Sequence, residues 1–455
     1  MSSQLSLTEA RADELPNPTA TETATELTKP TPAEAPQKDE TYSLHLQSTA
    51  VPQTHPGFHS PYEGPESLHG TAETDVSFSN TYYLGYQLFK NTEIFLNPEL
   101  IAGSGVSDAY GLGAYPNGEI NRVGSAGLQL NIARAYLSQT FPLGNETEFI
   151  PDDLNQIAGT KATHYLRISI GKYSLADYID FNTYAHDQRT QFLNFCFMDN
   201  CAWDYAMNPI GYIYAGTVEL NEKTWALRLA VAMEPTEVNG GTMDTNILQA
   251  HSLTLEYEQH YTLGSHPGVF RLLGFYNDSR AKDYASATHE LQHPDETFVT
   301  DPYHRKYGGG LNVEQEITKA FGTFFRVGAN DGQAESFTFT EDDFTATAGL
   351  SLNGRIFQRD QDTIGLGFGL NELSTAHANF LASGGRGLML GDGRLSYAPE
   401  EFMEVYYSLQ VPRVKNLFLT PDFQYVIHPG FNADRGPVPI FAARVHYELG
   451  SADFF

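Results

Sequence analysis

Between residues 41 and 448 the chain repeats one pattern, short runs in which apolar and polar residues alternate. In residues 224–234, Trp225, Leu227, Leu229, Val231 and Met233 share one face, and Thr224, Ala226, Arg228, Ala230, Ala232 and Glu234 share the other. Residues 164–171 set Leu166, Ile168 and Ile170 opposite Tyr165, Arg167 and Ser169. Residues 310–317 set Leu311, Val313 and Ile317 opposite Asn312, Glu314 and Glu316. Successive side chains point to opposite sides of a strand, so each run is a strand with one greasy and one polar face. About sixteen such runs are legible, a count that suits a transmembrane barrel. They fall near residues 41–51, 72–90, 92–102, 131–141, 163–173, 210–220, 224–234 and 250–262, then 268–280, 305–317, 321–331, 345–354, 362–371, 401–411, 416–428 and 437–448.

The links between runs alternate in length. Residues 90–91, 221–223, 264–267, 318–320 and 412–415 are short; residues 103–130, 174–209, 235–249, 281–304 and 372–400 are long. Short turns on one rim and long loops on the other define an outer-membrane barrel, and a soluble sandwich has no reason to keep that parity. The expected fold is therefore all-β, an antiparallel transmembrane β-barrel with short periplasmic turns and long extracellular loops. It occupies residues 41–455. Residues 1–40 are rich in Pro, Thr, Ala and Glu and read as a disordered tail. Residues 1–10 show no basic region followed by an apolar run, and the strands after residue 40 argue that the reading frame starts upstream of Met1.

Composition agrees. With 27 Lys+Arg against 56 Asp+Glu the formal charge is −29, which disfavours a nucleic-acid partner. No stretch is long and apolar enough for a membrane helix, yet a barrel needs none. The 26 Tyr, 29 Phe and 40 Gly suit strands with aromatic faces.

If the chain closes into a barrel, its polar faces line the lumen. The predicted pathway comprises Arg134, Arg167, Arg228, Arg271, Arg326, Glu256, Glu258, Glu314, Glu404 and Asn97. Such a wall, mixed in sign and rich in planar donors and acceptors, suits a neutral polyhydroxylated solute better than a simple ion. Tyr, Phe and Trp add flat faces for sugar rings. The aromatic link 174–209 is expected to fold inward as a constriction, with Asp199, Asn200, Trp203 and Asp204 its site residues. The alternatives for these residues are cross-bracing of a wet pore and, for the link, a cap over the barrel or packing on a neighbouring subunit.

His289-Glu290-Leu291-Gln292-His293 matches the zinc-protease signature, which needs both imidazoles on one helix face. Here Pro294 follows directly in a link of turn and polar residues, so a chance match is the preferred reading and no metal site is expected. The glycine-rich residues 384–394 lack the Gly-Lys-Ser/Thr ending of a phosphate cradle and read as a flexible loop. Cys196 and Cys201 either form a small disulfide ring or remain two buried thiols. Asp152-Asp153 and Asp342-Asp343 are adjacent and would point to opposite sides of a strand, so they are poor candidates for the two carboxyls of a glycosidase cleft. Acidic loops at the outer rim are expected to meet divalent cations and lipopolysaccharide. No G-x-S-x-G elbow appears, and neither enzymatic activity nor a cofactor is expected.

Several segments resemble the OprB-type carbohydrate-selective porins. They are residues 185–194 (Ala-His-Asp-Gln-Arg-Thr-Gln-Phe-Leu-Asn), 198–205 (Met-Asp-Asn-Cys-Ala-Trp-Asp-Tyr) and 95–99 (Phe-Leu-Asn-Pro-Glu). Residues 116–119 (Pro-Asn-Gly-Glu), 390–397 (Leu-Gly-Asp-Gly-Arg-Leu-Ser-Tyr) and 432–437 (Asn-Ala-Asp-Arg-Gly-Pro) complete the set. The resemblance implies a sixteen-stranded outer-membrane porin, single or trimeric, that passes glucose-like sugars by diffusion. It also implies loops folded into the lumen and an arginine-rich constriction. The chain departs from the family at its end, where residues 450–455 follow the last strand before the terminal Phe455.

Overall fold

The computed structural model describes residues 38–120, 126–293 and 303–454. The disordered tail expected for residues 1–40 lies outside these, apart from residues 38–40. The chain closes the predicted barrel from sixteen antiparallel strands. They are β1 (Tyr42–His55), β2 (Glu73–Phe89), β3 (Thr92–Gly103), β4 (Gln129–Pro142), β7 (Tyr165–Tyr173), β8 (Ile213–Asn221), β9 (Trp225–Met233) and β10 (His251–Leu263). The circuit continues through β11 (His266–Ser279), β12 (His304–Thr318), β13 (Phe321–Asn330), β14 (Phe344–Asn353), β15 (Thr363–Glu372), β16 (Glu400–Gln410), β17 (Leu417–Ile427) and β18 (Val438–Leu449). Each predicted run overlaps one of these strands. Neighbours in sequence are neighbours in space, and β18 returns to β1 with Leu46 opposite Leu449 and Thr54 opposite Phe441. Closure leaves no free sheet edge, so the ladder hydrogen bonds are made inside the protein as a lipid environment demands. No described helix is long and apolar enough to cross a membrane.

The barrel is inside out relative to a soluble protein. Leu130, Ile170, Leu272 and Phe368 point outward and are half or more exposed, while Thr81, Glu256 and Arg326 point inward and are buried. That inversion needs an apolar solvent outside. One bulge matters to the interior. Asn97 pairs with Arg134 and Pro98 with Ile132, leaving Ala133 as an extra residue on β4. The extra residue shifts the alternation by one, so Asn131 and Arg134 both face inward. Pro98 has no N–H to donate and sits where the ladder is already interrupted.

One link departs from the expected parity. Residues 143–164, on the short-turn rim, form a hairpin of β5 (Thr147–Ile150) and β6 (Gly159–Ala162) instead of a tight turn. Its strands are too short to show a period. The hairpin is pinned by Lys161–Glu93 at 2.7 Å and His45–Asp152 at 3.0 Å. Burial raises the Asp152 carboxyl, but hydrogen bonds from His45, Ser43 and Ser451 outweigh it and hold the group below the usual carboxylate range. At the chain end, α4 (Ser451–Phe454) follows β18 on the same rim.

The long loops hold two further helices, α2 (Tyr284–Gln292) and α3 (Thr375–Ala382), packed on each other. The expectation that residues 281–304 hold only turns is thus corrected for its first half. Asp283 caps α2 by accepting from the Ser286 N–H at 2.8 Å, which supplies the start signal.

Candidate functional site

The link between β7 and β8 enters the lumen, as the sequence suggests. It carries α1 (Phe195–Met198), and its rings Phe192, Phe195, Phe197, Trp203 and Tyr205 are buried in one cluster with Phe324, Phe402 and Tyr406 of the wall. Cys196 within α1 and Cys201 just after it form a disulfide, which decides the question the spacing left open. Room for this plug is made by glycines. A Cβ on Gly310 or Gly328 would lie 2.2 or 2.1 Å from the Asn200 side chain.

The lumen wall grips the plug by its backbone. Glu256 accepts from the Asp180 N–H at 2.6 Å, Glu314 from Thr183 at 2.6 Å, and Glu404 from Leu193 and Asn194 at 2.6 and 2.9 Å. Arg326 donates to the carbonyls of Phe197, Asp180 and Ala185 at 2.5, 3.0 and 3.0 Å and pairs with Asp180 at 2.8 Å. Arg444 donates to the Gln188 carbonyl at 2.6 Å. Irregular backbone inside a barrel has unsatisfied polar groups, and these charged side chains satisfy them.

A second set of charges forms a ladder around one side. Strand register places Arg167 opposite Glu219, Glu219 opposite Arg228, Arg228 opposite Glu256, and Glu258 opposite Arg271. Arg228 reaches Glu219 at 3.1 Å, Glu256 at 2.8 Å and Glu258 at 3.0 Å; Arg271 reaches Glu258 at 2.7 Å and Glu314 at 3.5 Å. Arg167 meets Glu219 at 3.5 Å and lies over the Tyr165 ring. Arg134 pairs with Asp177 at 2.5 Å and lies over the Tyr212 ring.

Exposure separates the predicted pathway residues. The side chains of Arg167, Arg134 and Arg228 are 31%, 15% and 12% exposed, whereas those of Arg271 and Arg326 are 3% and 1%. Arg326, Glu256, Glu314, Glu404 and Asn97 face inward as predicted but are buried, so they do not meet open water. Asp199, Asn200, Trp203 and Asp204 are likewise buried inside the plug. Trp203 donates to Thr254 at 3.3 Å, and Asp204 accepts from the N–H groups of Phe337 and Thr338 at 2.7 and 3.0 Å. These contacts fix the inward-folded link against the wall and the neighbouring loop.

Sequence reasoning missed Arg189. This plug residue is buried against Glu119 at 2.9 Å and Glu99 at 3.2 Å, and its Nη1 also donates to Gln47, Thr81 and Tyr83. Only the resemblance of residues 185–194 touched it. Its underside, with Tyr184, borders a cavity of about 470 Å³ at the short-turn rim, which Ser351, Phe418 and Lys415 also line. Glu341 was missed too. Its carboxylate accepts from the N–H groups of Leu388, Met389 and Leu390 at 3.1, 2.8 and 2.9 Å. The glycine-rich loop is therefore shaped around an internal anion, and a Cβ on Gly387 would collide with that carboxylate. Asp342 and Asp343 are buried. Where three or more metal-ligand types converge among the described residues, the group is Cys196, Cys201 and Asp342, and its thiols are spent in the disulfide.

A closed barrel with a greasy exterior, a charged lumen and an inward-folded loop defines an outer-membrane channel of the porin class. The family model for carbohydrate-selective porins, the OprB family, matches residues 66–449, and the chain belongs to that family. No curated protein sequence matches it. In structure the chain is similar to Pseudomonas putida OprB at high pH, with a TM-score of 0.67 and 15% identity over 90% of this chain and 94% of that one. The Acinetobacter baumannii channel DcaP (TM-score 0.47, 9% identity, 90% and 97% covered) and Pseudomonas aeruginosa OccK1 (0.45, 10%, 90% and 98%) are also similar. The protein is an outer-membrane carbohydrate porin, so its long-loop rim is extracellular and its short-turn rim periplasmic.

Proposed function

We propose that sugars pass between the plug and the wall formed by β4 and β7–β10, in contact with Arg134, Arg167 and Arg228. The observation that carries this reading is that these three arginines, among the predicted lumen arginines in the ladder and beside the plug, keep the most exposed side chains while remaining braced by carboxylates. A braced guanidinium presents donors to hydroxyls in a fixed plane, and the neighbouring Tyr165 and Tyr212 rings offer apolar faces to a pyranose. Alternating charge cancels the field that would select one ion, so a neutral solute is favoured. Binding stays weak because each donor is already partly used, and weak binding keeps exit fast.

Buried plug residues set the width of the path, and the periplasmic cavity receives the solute. Outward Leu130, Ile170 and Phe368 meet lipid chains, and exposed extracellular acids such as Glu63 and Asp108 meet lipopolysaccharide through divalent cations. One barrel contains a complete path, so the single chain is the transport unit. The test is single-channel conductance in a planar bilayer, titrated with glucose and with sucrose. Steady channels blocked by one sugar support the reading. Channels indifferent to both make this a general pore.

A further inference from the structure

The cavity at the short-turn rim is walled by different residues from the arginine ladder. Tyr184 comes from the plug, Ser351, Thr363 and Phe418 come from β14, β15 and β17, and Gln361 lies in the turn before β15. Arg134, Arg167 and Arg228 do not line it. Its volume, about 470 Å³, falls within the roughly 300–1,000 Å³ of small-molecule pockets. We propose that this cavity is a second sugar-binding subsite, placed at the periplasmic exit and built from rings and neutral donors. The inference rests on the sugar-channel reading above and adds a site that reading does not contain.

Charge is cancelled around the cavity. Arg189 is spent on Glu119 and Glu99. Glu316 pairs with His266 at 2.8 Å and with Lys319 at 3.7 Å, and Lys415 pairs with Asp453 at 2.5 Å. An ion leaving water here would have to share counter-charges already in use, whereas a neutral sugar needs none. What stays available is neutral. Among the described residues the side chains of Tyr184, Ser351, Gln361 and Thr363 make no hydrogen bond, so a phenol, two hydroxyls and an amide can serve sugar hydroxyls. Half-buried Phe418 offers an apolar face to a pyranose.

Tyr184 is fixed before a solute arrives. A Cβ on Gly322 would come within 2.0 Å of its ring, so glycine at that position leaves the ring its place. The Tyr184 N–H donates to Asn182 at 2.9 Å, and Glu314 grips the neighbouring Thr183. A preset partner loses little freedom on binding. The solute therefore leaves guanidinium forks on one wall and meets rings and neutral hydroxyls against the other.

The test is tryptophan fluorescence of the full chain in detergent carrying Phe418→Trp, which keeps a stacking face and puts a reporter in the cavity. Neither Trp203 nor Trp225 lines it. Emission should change saturably with glucose and with sucrose, and at lower concentration than with glucuronate. Ser351→Ala and Gln361→Ala in that background should each weaken the response about threefold to tenfold, the worth of one neutral hydrogen bond. Heat-dependent gel migration confirms that each barrel is folded; where Phe418→Trp does not fold, Gln361→Trp carries the reporter and Ser351→Ala the comparison. A response that is absent or linear in sugar, one that both alanine variants leave unchanged, or one that favours glucuronate overturns the proposal. Wild-type channels blocked by sugar beside a silent reporter sink this inference alone, whereas indifferent channels with a silent reporter sink the transport reading as well.

Discussion

Arg228 donates to Glu256 at 2.8 Å across the paired strands β9 and β10. The same guanidinium also serves Glu219 and Glu258, so it is the hub of the charge ladder. Its side chain stays 12% exposed. Removing it takes a braced donor from the path and leaves three carboxylates without their common partner. A hydrogen bond to a charged group contributes about 1.5–3 kcal/mol, roughly tenfold to a hundredfold in affinity. Arg228→Ala should weaken sugar blockade by about that factor and shift the pore toward cations, read as reversal potential in a salt gradient. Arg228→Lys should keep the ion preference and lose most of the blockade, since an ammonium lacks the planar fork.

Arg326 and Glu404 should behave differently. They are buried and hold plug backbone, not solute. Breaking one side of a buried charged contact costs about 3–5 kcal/mol, and here the loss falls on the loop, since the barrel ladder is untouched. Arg326→Leu and Glu404→Leu should raise single-channel conductance and abolish discrimination between glucose and sucrose. Both variants should keep the heat-dependent gel migration of a folded barrel.

The glycines under Asn200 give a paired test. Gly328→Ala should force Asn200 out of its seat, with an overpacking cost of about 1–3 kcal/mol. The plug loosens and conductance becomes noisy. Adding Asn200→Ala removes the colliding atoms and should restore quiet channels. A double variant as noisy as the single one would show that Gly328 matters for some other reason.

The strands were legible because lipid and lumen impose opposite demands on alternate residues over the whole length of each run. Even Arg134 was assigned to the lumen, although a bulge at Ala133 is what turns it there. What was not legible depends on distant contacts. Whether an inward residue meets water is decided by the plug, so Arg167 and Arg326 look alike in sequence and differ in exposure. Arg189 lies in a link with no period, and its partners Glu99 and Gln47 are 90 and 142 residues away. Helix α2 carries two buried residues, Tyr284 and Ala287, too few for an apolar stripe to show.

Asp343 supplies the pH prediction. Burial pushes its carboxyl up, but adjacent His377, at 3.1 Å, and the Ser374 N–H, at 2.8 Å, outweigh this and leave it below the usual carboxylate range. A carboxyl lowered in the folded state adds stability above its unfolded value, about pH 4, and loses it as pH falls through the folded value. The group anchors the start of α3, whose Ser374 cap accepts from the His377 N–H. Acidification below about pH 4 should therefore free α3 before the barrel unfolds. Hydrogen exchange at residues 375–382 should quicken in acid while the amides of β14 and β15 stay protected. Asp343→Asn should show the fast exchange already at neutral pH, with little further change on acidification. Equal acid sensitivity in the variant would assign the effect to another group.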